Sequence, residues 1–199
     1  MKEISAIILA AGQSHRMGQP KMLLPWGKTT VLGQVVATFA AAGMDDLVVV
    51  TGGARARVEA LVTSLAEKYP VRAVFNPSFA QGEMLSSIQA GLQALGTDRR
   101  AALIGLGDQP QVRAGSVERL CDAYKTGEAP LVIPSFANHR GHPWLVRRSL
   151  WAEILALPPA STPRSFLQSH AADIQYLTVE DDSILRDLDT PEEYARQRP

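Results

Sequence analysis

The feature that most constrains this chain is an alternation between two kinds of segment. Largely apolar runs at residues 4–9, 47–50, 71–75, 101–106 and 131–133 read as strands. Between them lie stretches with apolar residues at helical spacing: residues 30–42, stopping at Gly43, then about 54–68, about 84–95 and 116–125. A strand that is apolar along its whole length has to be covered on both faces, and alternating helices supply that cover. The expected fold is α/β, a three-layer α/β/α sandwich around a mostly parallel sheet. After Pro134 the pattern loosens. Residues 142–146 and 174–179 read as strands and residues 149–156 as a helix. Residues 158–163 read as a loop, and residues 191–197 as a terminal helix capped by Thr190.

No repeat, low-complexity tract or linker interrupts the 199 residues, so a single domain over 1–199 is expected. A chain of this length buries roughly 70% of its unfolded surface and needs no staple. With 46% hydrophobic and 20% charged residues it is globular in composition. Twenty Lys and Arg balance twenty Asp and Glu, which leaves no net charge to hold nucleic acid or an anionic membrane. The single cysteine, Cys121, excludes an internal disulfide framework and a thiolate zinc cluster, and reads as a small core residue. No apolar run approaches the ~20 residues of a membrane span. The stretch after Lys2 runs straight into a Gly-containing polar loop, so it reads as a first strand and not as a targeting segment. A cytoplasmic location is expected.

In open α/β sheets, ligands bind at the carboxyl ends of the strands. Three polar segments sit at such ends. Residues 9–21, Leu-Ala-Ala-Gly-Gln-Ser-His-Arg-Met-Gly-Gln-Pro-Lys, offer Gly12 and Gly18 for close backbone approach to an anion, with Arg16 and Lys21 as cations. Gly107-Asp108-Gln109-Pro110 puts a carboxylate where a magnesium ion shared with phosphates would need one. Arg186-Asp187-Leu188-Asp189-Thr190-Pro191 adds two more carboxylates. Two decoys fail. Gly27-Lys28-Thr29 has Met22 where a phosphate loop of the Walker type needs glycine. Gly105-Leu-Gly107-Asp-Gln-Pro110 has proline in place of the third glycine of a dinucleotide fingerprint.

The motif Leu9-Ala10-Ala11-Gly12-x-Ser14-x-Arg16-Met17-Gly18-x-x-Lys21-x-Leu23-Leu24-Pro25 resembles the signature of nucleotidyltransferases related to the molybdenum-cofactor guanylyl- and cytidylyltransferases. Gly107 to Pro110, Arg140-Gly141-His142-Pro143 and the run from Asp187 to Tyr194 match in the same order, so the resemblance spans the chain. Leu-Ala-Ala-Gly resembles the cytidylyl branch, the guanylyl branch having Leu-Ala-Gly-Gly. The resemblance implies a Rossmann-like sheet of the nucleotide-diphospho-sugar transferase type. It implies a nucleotide-binding half at about 1–110 and an acceptor-binding half at about 111–199. Leu9, Ala10, Ala11, Gly12, Ser14 and Ser87 would meet the nucleotide, and Arg16 and Lys21 its phosphates. Asp108 would bind Mg2+, joined by Asp187 or Asp189. Arg140, Gly141 and His142 would line the acceptor pocket. Glu83, after Gly82, has no assigned role.

The implied reaction moves a nucleoside monophosphate, CMP from CTP, onto a phosphorylated acceptor such as molybdopterin, with a molybdoenzyme or its maturation factor as partner. A phosphate nucleophile is already an anion, so positioning and charge neutralisation suffice without a general base. A sugar phosphate or other small organic phosphate is the alternative acceptor. A non-catalytic cofactor-binding module is a third reading, which the presence of Lys21 and Asp108 disfavours. Trp26, Trp144 and Trp151 can each stack on a flat acceptor, with packing expected for at least two of them.

Overall fold

A computed structural model describes residues 2–81 and 83–199, without the side chain of Glu83. Gly82 and that side chain therefore lie outside the described residues.

The apolar runs become strands. β1 (Ile4–Ala10) is buried throughout its length. A small hairpin of β2 (Pro25–Trp26) and β3 (Thr29–Thr30) turns at Gly27, whose φ of 56° suits glycine. α1 (Val31–Ala41) is capped by Thr30, whose hydroxyl accepts from Gly33 N. β4 (Leu47–Thr51), α2 (Arg55–Ala66), β5 (Val71–Phe75), α3 (Glu83–Gln93), β6 (Ala101–Leu106), α4 (Ala114–Thr126) and β7 (Leu131–Phe136) continue the alternation. The last third holds β8 (His139–Arg140), β9 (Trp144–Arg147), α5 (Trp151–Ala156), α6 (Pro163–Ser169), β10 (Ile174–Thr178) and α7 (Pro191–Gln197).

The main sheet runs β10-β7-β9-β6-β1-β4-β5, with β8 paired to β7. β1 lies parallel to both neighbours, Ala6 standing opposite Leu47 on one side and Leu103 on the other. Ile8 faces a core with Leu32, Val36 and Leu120, from α1 and α4. Ile7 and Leu9 face the opposite core with Leu85, Ile88 and Phe166, from α3 and α6. Each such buried aliphatic side chain contributes about 1.5–3 kcal/mol, which is why β1 and β4 anchor the sheet. Cys121 is fully buried in α4, and burial pushes its thiol pKa up to about 11. Among the described residues no helix is long and apolar enough to cross a membrane.

The sheet departs from the sequence pattern in the last third. β9 is antiparallel to both β6 and β7. β7 runs on through Pro134, which read as its end. Pro134 falls between the residues paired with β9 and those paired with β8, and its carbonyl accepts from Gly141 N at 2.9 Å. Proline has no N–H to return to Gly141, so this point, where β7 passes from β9 to β8, lacks the second bond of that pair. α6 begins inside a Pro-rich stretch that read as loop. Pro163 at its first turn and a Thr162–Ser165 capping box start it, and Phe166 and Leu167 bury its apolar side.

His170 fastens this helix. Its Nδ1 lies 2.7 Å from Asp173 Oδ2 and its Nε2 2.9 Å from Glu153 Oε1 on α5, with the ring against Phe166. The hydrogen bonds to Asp173 and then Glu153 hold its pKa above the ordinary histidine value. A raised folded-state pKa contributes stability in full below the unfolded value of about 6.5, lost as pH rises through the folded one. Thermal melts between pH 5 and 9 should show the wild-type advantage over His170→Ala shrinking across that window. An advantage independent of pH would show that the imidazolium is not what fastens α6.

Candidate active site

Strand order reverses at β1, where β4 and β5 lie to one side and β6 returns to the other. That is the switch point at which such sheets bind ligands. The loops leaving β1 and β6 emerge side by side, and Gly107 N donates to Leu9 O at 2.9 Å beyond the strand end.

The loop after β1 doubles back on itself. Ser14 (φ 53°) and Gly18 (φ 66°) take left-handed conformations around a short 3-10 turn. Lys21 N donates to Ser14 Oγ at 3.2 Å, so the Ser14 hydroxyl holds the loop that presents Lys21. Lys21 Nζ donates to Asp108 Oδ2 and, at 3.0 Å, to Asp189 Oδ1. Arg16 Nη2 donates to Asp189 Oδ2 at 2.7 Å. Burial alone would lower the Lys21 pKa. The Asp108 charge and hydrogen bond, with those of Asp189, outweigh it and hold the ammonium above its ordinary value. Burial of Asp189 is likewise outweighed by Lys21 and Arg16, which hold that carboxyl below the carboxylate range.

Asp187 behaves in the opposite way. It is exposed as a residue on the cavity wall, its carboxyl beside Asp108 and Gln109, and among the described residues no cation forms an ion pair with it. Burial, and then the neighbouring Asp108 charge, raise its pKa. Gln109 Nε2 donates to it at 2.7 Å. The sequence left Asp187 and Asp189 undivided as metal-side positions. Asp189 is committed to Lys21 and Arg16, whereas Asp187 is a carboxylate still short of positive charge.

These groups line an open cavity of about 370 Å³. Of the residues singled out in sequence, Leu9, Ala11, Gly12, Lys21, Ser87, Asp108, Asp187 and Asp189 meet there. Ala10 is buried in the core, and Arg16 reaches the cavity's edge only through Asp189. Asn76, buried beside α3, donates to Ser86 Oγ at 2.8 Å and to Ser87 Oγ at 3.0 Å, setting both hydroxyls. Sequence reasoning missed Asn76, and also Phe79 and Met84 in the cavity wall. An apolar side chain looks the same in sequence whether it faces core or ligand.

A second cavity of about 380 Å³ holds Arg140 and His142 together with Trp144, Thr162, Pro163, Arg164 and Leu167. Met84 lines both cavities, as a wall common to the two. Trp26 and Trp151 are buried, leaving Trp144 as the tryptophan of this wall, stacked on His142 at 4.5 Å. Burial lowers the His142 pKa to about 4, so the ring is neutral at physiological pH and the positive charge comes from the exposed Arg140 and Arg164. Gly141 serves packing instead, since an added Cβ would meet Ile184 O at 2.4 Å. Arg164 escaped the sequence reading because α6 did.

Among the described residues no three His, Cys, Asp or Glu side chains gather closely enough to chelate a bare metal ion. Two neighbouring carboxylates, Asp108 and Asp187, do fit a hard divalent cation that takes its remaining oxygens from phosphates and water. Gly12 fits a ligand as well. A Cβ added there meets nothing within 4 Å, so the fold leaves that backbone open to the cavity.

A glycine-bearing loop, a basic side chain and carboxylates meet at the switch point of a nucleotidyltransferase fold of the nucleotide-diphospho-sugar type. A family model described as a MobA-like NTP transferase domain matches residues 6–174, and the chain belongs to that family. Molybdenum cofactor cytidylyltransferase of Escherichia coli (strain K12) is 29% identical over 200 residues, covering 100% of this chain and 98% of the relative. Nicotine blue oxidoreductase of Paenarthrobacter nicotinovorans is also 29% identical over 200 residues, covering 97% and 95%. The crystal structure of Rv0371c from Mycobacterium tuberculosis H37Rv in complex with manganese matches with a TM-score of 0.78 and 27% identity, covering 98% of this chain and 97% of that one.

Two glycines make opposite predictions. Gly12→Ala should melt as the wild type does but bind nucleoside triphosphate about tenfold more weakly, because a ligand seated on that backbone loses room. Gly52→Ala would put a Cβ 2.5 Å from Ala11 O and 2.7 Å from Phe79 Cβ, and should lose about 1–3 kcal/mol of stability. Calorimetric titration with thermal melts separates the two. Unchanged affinity in Gly12→Ala would place the nucleotide elsewhere.

Proposed function

We propose that this protein transfers CMP from CTP to the phosphate of a molybdopterin-type acceptor and releases pyrophosphate, with Mg2+ as its metal. The observation that carries this reading is the pair of neighbouring cavities that share Met84, one with Lys21 among three carboxylates, the other apolar and rimmed by Arg140 and Arg164. The first suits a metal-bound triphosphate. The second suits a flat ring system with an anionic arm, and the name of the E. coli relative favours a molybdenum-cofactor acceptor. The segment to about residue 110 supplies most of the nucleotide side and the remainder the acceptor side, with Asp187 and Asp189 returning to the nucleotide. The product passes in the cytoplasm to a molybdoenzyme or its maturation factor.

In this reading Leu9, Ala11 and Gly12 present backbone to the base and ribose, with Ala10 packed in the core behind them; Ser14 holds the loop, and Ser87 offers its hydroxyl. Arg16 and Lys21 turn from Asp189 and Asp108 to the phosphates as these arrive. Asp108 and Asp187 would hold the Mg2+, which would supply positive charge against the triphosphate. Arg140 and Arg164 orient the acceptor, whose phosphate oxygen attacks the α-phosphorus in line as pyrophosphate leaves. No side chain need remove a proton from an ionised phosphate, so the work of this chain is orientation and charge compensation. The oxidoreductase name of the Paenarthrobacter relative is not carried over, since Pro110 stands where a dinucleotide fingerprint needs glycine.

A pyrophosphate-release screen crossing nucleotides with acceptors tests the reaction. Turnover should be highest with CTP and molybdopterin, and Asp108→Ala should lose it even at saturating Mg2+. Release with sugar phosphates alone would reassign the acceptor, and no release from any pair would end the transferase reading.

The base preference has its own test. The Ala11 methyl group narrows the loop where the guanylyl branch has glycine, leaving room for one ring more readily than two. CTP should be preferred over GTP by about 10–200-fold, the range expected for rejection of a misfitting base. Ala11→Gly should relax that ratio. Competition kinetics in which GTP matches CTP would remove the cytidylyl assignment and leave the transfer chemistry standing.

A further inference from the structure

Gln109 lies between the two cavities and lines neither. It follows Asp108 directly and is 3% exposed. Its Nε2 donates twice, to Asp187 Oδ1 at 2.7 Å and to the Ile184 carbonyl at 3.2 Å. That carbonyl also accepts from His142 N at 3.1 Å. One amide group therefore reaches a carboxylate on the wall of the nucleotide cavity. Through a shared carbonyl it also reaches the backbone beneath the His142–Trp144 stack on the wall of the other.

The amide can face only one way. Both hydrogens of a carboxamide nitrogen are used here, and the reverse orientation would set its oxygen against a carboxylate and a carbonyl. In the orientation it takes, Oε1 is buried without a protein partner. A residue needed only to fill this space would not have to bury an unpaired carbonyl, because methionine has nearly the same shape without one.

We propose that Gln109 is a positioning residue that aims the Asp187 carboxylate at the divalent cation and fixes the acceptor wall relative to it. The inference rests on the transferase reading for its purpose, since in-line transfer between ligands in two cavities tolerates little error in their separation. Its physical content can be tested without turnover. Hydrogen-bond partners of metal-ligating groups commonly account for 10–100-fold in metal affinity.

The experiment titrates Mn2+ into the full chain and follows free Mn2+ by electron paramagnetic resonance, for wild type, Gln109→Met, Asp187→Asn and the double variant. Gln109→Met should weaken Mn2+ binding about tenfold, and should add nothing in the Asp187→Asn background, because it acts through that carboxylate. In the wild-type protein, the Gln109 side-chain amide resonances should shift along a Mg2+ titration, a measurement that stands even if Gln109→Met fails to fold. The proposal is overturned by no millimolar Mn2+ binding in wild type, by affinity within twofold in Gln109→Met, by an undiminished loss in the double variant, or by static amide resonances. Metal coupling without pyrophosphate release from any substrate pair would remove the transferase reading and leave the positioning role. Turnover without coupling would do the reverse.

Discussion

The Lys21 ammonium ties together three parts of the chain that are far apart in sequence. It sits between Asp108, at the end of β6, and Asp189, just before α7, while its own loop leaves β1. Its side chain is 12% exposed and that of Asp108 13%, so the contact is screened less than a surface ion pair would be. Loop, strand end and C-terminal segment converge on one point because a half-buried cation has to be satisfied there. The cavity is the space that this convergence leaves open.

The same arrangement gives the carboxylates different characters. Asp189 is held ionised by Lys21 and Arg16, whereas Asp187 is left against Asp108 and accepts from the Gln109 amide. Groups of one chemical type are thereby divided into a strut for the basic side chains and a wall short of positive charge. Three carboxylates against Lys21 in the lining leave an acidic cavity, which an anion would enter favourably only in company with a cation.

The second cavity depends on the irregular part of the fold. β9 enters the sheet antiparallel between β6 and β7, so the end of β8 and the turn that follows it bring Arg140 and His142 to the cavity that Met84 of α3 also lines. α6 closes the other side and contributes Arg164. Met84, 36% exposed, is the wall this cavity shares with the one around Lys21.

The sequence by itself determined the strand–helix alternation, the parallel half of the sheet and the motifs that converge at the switch point. Continuous apolar runs, Gly43, Thr30 and Thr190 are local signals whose effects do not depend on distant residues. Family membership was legible for a similar reason, because the loop from Leu9 to Pro25 compresses its chemistry into consecutive residues. Tertiary structure alone decided the rest. The direction of β9 and the continuation of β7 through Pro134 depend on which neighbours each residue pairs with. α6 owes its existence to a capping box and two buried side chains in a stretch whose prolines read as loop. The division between Asp187 and Asp189, the bridging amide of Gln109, and the roles of Asn76 and Met84 follow from contacts across long sequence separations. Local propensity carries no information about such contacts, since it is packing that selects which polar groups lose water and which partners they find.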